Sequence, residues 1–555
     1  MSARPLLRFT SGPLQAAIDK NVERRLKRFV QDAESEPVAL FSPEARAASH
    51  GGDWYGEHIG KWLVAANKAV ARTGDPELST AIETVVDALA AWQEPDGWLG
   101  TYPVGSPARF TSADVAGQRT WDVWVHAWLV LGLLETGIPR AQTMAERIGG
   151  LVAATFRDGK HLVQQGNHAG LSSLVMVEPL ARLAQATGER RYADLALAEL
   201  QAAEQAGLPL LSARTGSDVS KIGTGKAYQI LWCLVGMLEV GQVLEDDSIV
   251  TAVQALYDDV REHHLSPAGG PWGGIATHNE VFNPRGFFSP TGFVETCSST
   301  SWLDLSLRLY RLTGEAAYAD EAEKTLLNAV LGAQDANGED WCYFTFANGR
   351  RNNTYHWACC KSSGALALEL GAEMATDGLT VNLLQPFDAQ LPGGQSLCLS
   401  SPQEGQYVLE SDQPMTIQVR VPAWGKVGDS VVVRDGHIQA DLQPGQSFTF
   451  ECRARVGVHR RAHTVDHHGQ EVVREEYVCF SRGPYVLAAG PEGDIHTPPT
   501  LRLSRLFPMN HVDEAGGEVE LRPAGGRPIS LQPYCRAGGP HDGAWRNTWF
   551  PVAWQ

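Results

Sequence analysis

Residues 59–92 read IGKWLVAANKAVARTGDPELSTAIETVVDALAAW. Ile59, Trp62, Leu63, Ala66 and Val70 recur at three- and four-residue steps, as do Ile82, Val85, Val86, Leu89 and Trp92. With about 3.6 residues per turn, each set falls on one face of a helix. Between the two stripes stands Arg72-Thr73-Gly74-Asp75-Pro76. Glycine closes a helix by taking a left-handed backbone. Asp-Pro then opens the next one with a capping carboxylate and a proline whose missing N–H is not needed there. The stretch is a helical hairpin.

The same punctuation returns at Thr136-Gly137, Thr187-Gly188 and Thr313-Gly314, each between two apolar stripes, and Gly241 reads as one more stop. Successive glycines of this series lie 51 to 73 residues apart. A two-helix unit recurring near fifty residues indicates a repeated hairpin. Five are countable, and a sixth combines the helix around Leu14 to Phe29 with the helix around Ala365 to Met374. Six hairpins in a ring make an (α/α)6 barrel; an open helical solenoid is the competing arrangement. Long loops at residues 93–98 and 269–292 suit an enzyme, because such loops line sites.

After about Asp377 the period changes to two, as in Thr416 to Val421, and strand-like runs follow at Val431–Val433, Phe448–Phe450, Tyr477–Phe480 and Tyr485–Leu487. The expected organisation is mainly α with β. Residues 1–376 form an (α/α)6 barrel catalytic domain, and residues 377–555 form a β-sandwich domain with an irregular Gly- and Pro-rich tail from Gly516.

Hydrophobic residues make up 43% of the 555, charged residues 20%, and the net charge is −18, which suits a globular chain and opposes nucleic-acid and anionic-membrane partners. No apolar run near the N-terminus approaches the length of a spanning helix or a signal core, so a cytoplasmic protein is expected. Nine cysteines, an odd number in a long chain, do not read as a secreted disulfide framework. Sixteen tryptophans suit either sugar stacking or a helical core. Oligomeric state stays open, a homodimer included.

No G-x-S-x-G, P-loop or H-E-x-x-H motif is present, and Gly223-Thr224-Gly225-Lys226 is too short for a phosphate or dinucleotide fingerprint. Three other features stand out: Glu295-Thr296-Cys297, the adjacent pair Cys359-Cys360, and Glu280. Buried cysteines are usually small hydrophobes, an adjacent pair can form a vicinal disulfide, and Glu295 can serve as an acid at a helix start. Alternatively, three thiolates and a carboxylate supply the four donors of a tetrahedral zinc. Spacing alone does not decide between these readings.

The chain resembles glycoside hydrolase family 127, the β-L-arabinofuranosidase type. The matching pieces are Gln93-Glu94-Pro95-Asp96-Gly97-Trp98-Leu99, Gly273-Gly274-Ile275 with Glu280, Glu295-Thr296-Cys297, Tyr343, Cys359-Cys360 and the run Arg482 to Leu487. The resemblance implies Zn2+ held by Glu295, Cys297, Cys359 and Cys360, with Cys359 as nucleophile and Glu280 as general acid/base on an oligosaccharide or glycoside substrate. Zinc would keep the sulfur as thiolate, and the anionic cluster is expected to raise the proton affinity of Glu280. Tyr343 matches a family tyrosine beside the nucleophile, and otherwise reads as a core aromatic. His126 is a candidate for sugar hydroxyls or for the core. Lys226 stands where many members carry histidine, and Trp54, Trp98 and Trp272 are candidate stacking residues.

Two departures bear on the sugar rather than on the machinery: Lys361-Ser362-Ser363 follows the cysteine pair where relatives commonly show two prolines and an asparagine, and Leu174 stands near an expected histidine. The favoured function is a zinc-dependent retaining exo-glycosidase releasing L-arabinofuranose or a related sugar from plant-type glycans. A metal-independent (α/α)6 enzyme on uronic sugars and a sugar-binding scaffold with structural zinc are the alternatives.

Overall fold

The computed structural model describes residues 4–48, 53–273, 280–491, 497–506, 508–515, 518–539 and 541–554. Helix α1 (Gly12–Lys20) continues through a wider π-type segment, Asn21–Leu26, to Lys27–Phe29. Five hairpins follow. They are α2 (Glu57–Thr73) with α3 (Pro76–Trp92), α4 (Asp122–Glu135) with α5 (Pro139–Thr155), and α6 (Val177–Thr187) with α7 (Arg191–Gln205). Then come α8 (Ala227–Leu244) with α9 (Asp247–His263), and α10 (Thr296–Thr313) with α11 (Ala316–Thr325). The last helix, α12 (Cys359–Ala372), packs against α1.

Helices α2, α4, α6, α8, α10 and α12 each touch the next, and α12 returns to α2. That closed ring is the inner wall of an (α/α)6 barrel, and it excludes the open solenoid. Helix α8 is covered on nearly all sides, and its sequence is largely apolar all round. Helix α8 is therefore long and apolar enough to cross a membrane by composition, yet it lies 83% buried in the ring.

The hairpin turns follow the sequence. Gly74, Gly188 and Gly314 end their helices in the left-handed region at φ 70°, 74° and 73°, and the Asp75 carboxylate accepts from the Glu77 and Leu78 amides. Gly241 differs. It lies inside α8, which runs to Leu244 and ends at Glu245 with φ 57°. A Cβ at 241 would come within 3.1 Å of Val250 Cγ2, so glycine there permits close packing against α9.

Two β layers follow the barrel. A six-stranded sheet runs in the order Leu6–Phe9, Phe387–Gln390, Ser396–Gln403, Gln406–Ser411, Phe448–Ala454, Gly425–Val427. It packs on a four-stranded sheet of Val433–Arg434, His437–Leu442, Met415–Arg420 and Thr380–Val381. Alternate residues such as Leu397, Leu399, Leu409, Ile417, Val419, Ile438 and Ala440 fill the space between them. The first strand of the chain thus joins this sandwich, in antiparallel register Leu6 to Gln390. Arg420 anchors the sandwich to α11 through Glu323 at 2.6 Å, through Asp320, and by donating to the Asn382 carbonyl at 3.0 Å.

A further sheet is built on the hairpin Val456–His467 and Gln470–Arg482. The expected irregular tail is corrected here. Ile529–Pro533, Trp545–Asn547 and Phe550–Trp554 are strands, the last parallel to Leu501–Leu503 and antiparallel to Tyr477–Val478. Ile529–Pro533 pairs with nearby Glu518–Leu521, whereas the partners of the other two lie far away in sequence, and the Gly- and Pro-rich composition masks all of them.

Candidate active site and metal centre

The starts of α8, α10 and α12 meet. Cys297 is the second residue of α10, and Cys359 and Cys360 are the first two of α12. Cys297 Sγ lies 3.3 Å from Cys359 Sγ and 3.4 Å from Cys360 Sγ, and the adjacent pair is 4.0 Å apart, so it forms no vicinal disulfide. The positive ends of two helix dipoles favour negative charge on these sulfurs. Glu295 comes in from a short strand, Phe293–Glu295, paired antiparallel with Phe344–Phe346. That ribbon also fixes Tyr343, whose carbonyl accepts from the Thr296 amide at 3.0 Å and lies 3.7 Å from Cys360 Sγ.

Ligand atoms of Glu295, Cys297, Cys359 and Cys360 all lie within 4.8 Å of one another. Four sulfurs or oxygens around one zinc, with Zn–S near 2.3 Å, sit about 3.8 Å apart. The observed sulfur separations bracket that value, so the donor set fits a tetrahedral metal. Cys359 alone of the four is partly exposed.

Glu280 is held next to this cluster. The Ala227 amide donates to its carbonyl at 3.0 Å, Lys226 Nζ lies 2.7 Å from Oε2, and the Tyr343 hydroxyl donates to Oε1 at 3.1 Å. The same hydroxyl stands 3.9 Å from Cys359 Sγ, and Lys226 Nζ stands 3.9 Å from Glu295 Oε2. Cys359, Glu280, Glu295, Cys297, Cys360, Lys226 and Tyr343 are thus brought together. Residues 274–279 of the Glu280 motif lie outside the described residues.

The charges are sorted by environment. Sulfhydryl donation from Cys297 and Cys360 holds the Cys359 thiol well below its usual range against burial, and Lys61 and Lys226 add to this. Burial pushes the Cys297 and Cys360 thiols well up. Burial also pushes Glu295 up to about 8, against the pull of Lys226. Burial alone would raise Glu280 as well, but the Lys226 ammonium outweighs it and holds that carboxyl below the usual range. The expectation that neighbouring anions raise Glu280 is corrected, because a cation lies between them.

Two assigned residues fall elsewhere. His126 is fully buried; its Nδ1 lies 2.7 Å from the Asp122 carbonyl and its Nε2 accepts from the Leu99 amide at 3.0 Å, so no ring nitrogen is left for a sugar. Trp272 packs with Phe288, Cys479 and Trp549 between barrel and last sheet, and abuts Gly292. Trp98 is likewise core, its Nε1 donating to Asp122 Oδ2 at 3.0 Å beneath the Arg109 guanidinium. Of the three tryptophans, Trp54 stays half-buried near the cysteines, donating to the Trp357 carbonyl at 3.2 Å. At the departures from the family pattern, Ser363 Oγ lies 3.2 Å from Cys297 Sγ, and Leu174 is buried core. Residue-by-residue reading missed Glu57 and Lys61, an ion pair at 3.0 Å on the first turn of α2.

Residues 12–369 match the catalytic domain described as beta-L-arabinofuranosidase of glycoside hydrolase family 127. The chain belongs to glycoside hydrolase family 127. It is 24% identical over 353 residues to the non-reducing end beta-L-arabinofuranosidase of Bifidobacterium longum subsp. longum, a match covering 56% of this chain and 52%, about half, of that relative. Two solved family 127 structures share the fold. A beta-arabinofuranosidase superposes with TM-score 0.75 at 18% identity, covering 99% of this chain and 98% of that one. A beta-L-arabinofuranosidase from Geobacillus stearothermophilus T6 gives TM-score 0.73 at 16% identity, covering 99% and 100%.

Proposed function

We propose that this family 127 chain is a retaining exo-glycosidase that releases L-arabinofuranose or a related sugar from plant-type glycans. One observation supports this reading above others. The four donors of a metal site converge beside Glu280, and a single tyrosine hydroxyl touches both Glu280 and the most accessible sulfur, Cys359. The sugar follows the activity of the relatives.

Retaining hydrolysis requires a nucleophile and an acid/base on opposite tasks. The Cys359 thiolate attacks the anomeric carbon and forms a C–S bond as the C–O bond breaks. Glu280 gives its proton to the departing oxygen. Glu280, now carboxylate, then takes a proton from water, whose oxygen attacks the anomeric carbon as the C–S bond breaks and Cys359 returns to thiolate. Zinc held by Glu295, Cys297, Cys359 and Cys360 would supply the charge that keeps sulfur deprotonated at neutral pH. Tyr343 orients Glu280 and limits the swing of the Cys359 side chain.

Glu280→Gln is expected to lower kcat/KM by about 10²- to 10⁴-fold on a substrate with a poor leaving group. The loss should shrink on an aryl glycoside that departs without protonation. Equal losses on both substrates would remove Glu280 from the acid role.

Lys226 governs when that acid is available. An ammonium 2.7 Å from Glu280 stabilises the carboxylate, so it lowers the pH at which the proton is lost. Lys226→Met removes it, Glu280 keeps its proton to higher pH, and the alkaline limb of kcat/KM should move up by about 1 pH unit or more. A profile that stays in place or moves down contradicts this pairing.

A further inference from the structure

The ion pair Glu57–Lys61 lies on the first turn of α2, both side chains essentially without exposed surface. Taking two charges out of water is costly, and an apolar pair of the same volume would pack at least as well. Burial pushes the Glu57 carboxyl up to about 7 against the pull of Lys61, so the pair is fully charged only above neutral pH. Trp124 Nε1 donates to Glu57 Oε2, and the faces of Trp128 and Tyr228 stand 5.1 Å and 5.3 Å from the Lys61 ammonium.

The same helical turn is keyed to the cysteine segment. His58, between the two charged residues, places Nδ1 2.7 Å from Ser362 Oγ and Nε2 3.2 Å from the Trp357 carbonyl. Those two residues flank Cys359 and Cys360. Burial works against a charge on Lys61, yet Glu57, Tyr228 and the sulfurs of Cys297 and Cys359 together hold its proton well beyond the usual range.

We infer that Lys61, held in place by Glu57, is a positioning residue that sets the electrostatic potential at the cysteine cluster and thereby its affinity for a metal ion. This rests on the zinc reading of the cluster. The empty cluster carries about one negative charge. The same groups as three thiolates and a carboxylate around a divalent ion carry two. A fixed cation beside them favours the loaded state over the empty one. Lys61 thus stabilises metal binding without touching the metal. Glu57 moderates that effect, being the opposite charge on the same turn.

Because the two partners have opposite signs, their removal should act in opposite directions. Zinc affinity is measured on chelator-stripped wild type, Lys61→Met and Glu57→Gln, by competition with a chromophoric chelator at about pH 8.5, above the range in which Glu57 titrates. The sulfur-to-metal absorption of the Co2+-loaded proteins is recorded alongside. Lys61→Met is expected to weaken zinc binding about tenfold or more and to move the absorption to lower energy. Glu57→Gln leaves the ammonium uncompensated, and should tighten binding and move the absorption to higher energy. A purely structural pair would lose affinity on either change. If Lys61→Met does not fold, Glu57→Gln decides alone. Zinc uptake by wild type with both variants shifted alike, or unshifted, overturns the inference and leaves the zinc reading intact. No uptake by wild type overturns both.

Discussion

Cys359→Ser is expected to lower kcat/KM for a β-L-arabinofuranoside by about 10⁴-fold or more while leaving the helical barrel folded. Three cysteines share the cluster, and geometry separates them. Cys297 and Cys360 are buried, whereas Cys359 presents part of its surface. Cys359 also has the Tyr343 hydroxyl at 3.9 Å, which leads directly to Glu280. Its sulfur receives donation from both neighbours and holds the negative charge most readily. A serine hydroxyl at that position would be protonated and far less nucleophilic, and loss of a covalent nucleophile removes most of the rate enhancement.

The assignment can also be read without rates. In Glu280→Gln, an aryl arabinofuranoside can still load the nucleophile, because its leaving group needs no proton, but no base remains to activate water. A sugar should then accumulate on the peptide that carries Cys359-Cys360, and Cys359→Ser in the same background should abolish the adduct. An adduct that survives Cys359→Ser and is lost in Cys360→Ser would transfer the nucleophile to the neighbouring position.

The sequence carries the barrel plainly because the barrel repeats. Thr73-Gly74, Thr187-Gly188 and Thr313-Gly314 mark hairpin turns through local backbone chemistry, and the structure uses each of those glycines with positive φ. Gly241 misleads because a glycine inside a helix and a glycine after one look alike in sequence. In the structure, the helical backbone at Gly241 and the close passage of Val250 tell them apart. The last strands escape for the opposite reason, since Phe550–Trp554 is defined by partners at Leu501–Leu503 and Tyr477–Val478.

The site shows the same division. Family motifs name the four donors and Glu280, and the ribbon of Phe293–Glu295 with Phe344–Phe346 explains why Tyr343 joins them. Residue type alone nominates His126 and Trp272, and type does not report which way a side chain points. Glu57 and Lys61 did leave a signal. Once α2 is an inner helix, the side chains of its first ten residues are all covered, so a Glu and a Lys four residues apart there form a buried pair. That step depends on ring closure, which no single stretch of sequence displays.

Removal of the metal is the second large effect. Wild type is expected to bind about one zinc per chain, and Cys297→Ser to bind far less, with activity falling in parallel. Without a cation, Cys297 and Cys360 keep their protons and Glu295 titrates only near pH 8, so Cys359 carries most of the charge of the empty cluster at neutral pH. Binding must displace those protons, and zinc affinity should therefore rise with pH across the neutral range. Bound metal also ties the start of α10 to the start of α12, two neighbours in the inner ring. At free zinc a thousandfold above its dissociation constant, the folded state gains about 4 kcal/mol. Thermal unfolding should thus separate loaded from stripped wild type clearly and leave Cys297→Ser unresponsive to added zinc. A mutant that still binds one zinc and unfolds as the loaded wild type does would take Cys297 out of the donor set. A wild type whose activity and unfolding ignore both chelator and zinc would leave the Cys359 thiolate with only its neighbours and lysines to hold it, and would return the metal-independent sugar enzymes to consideration.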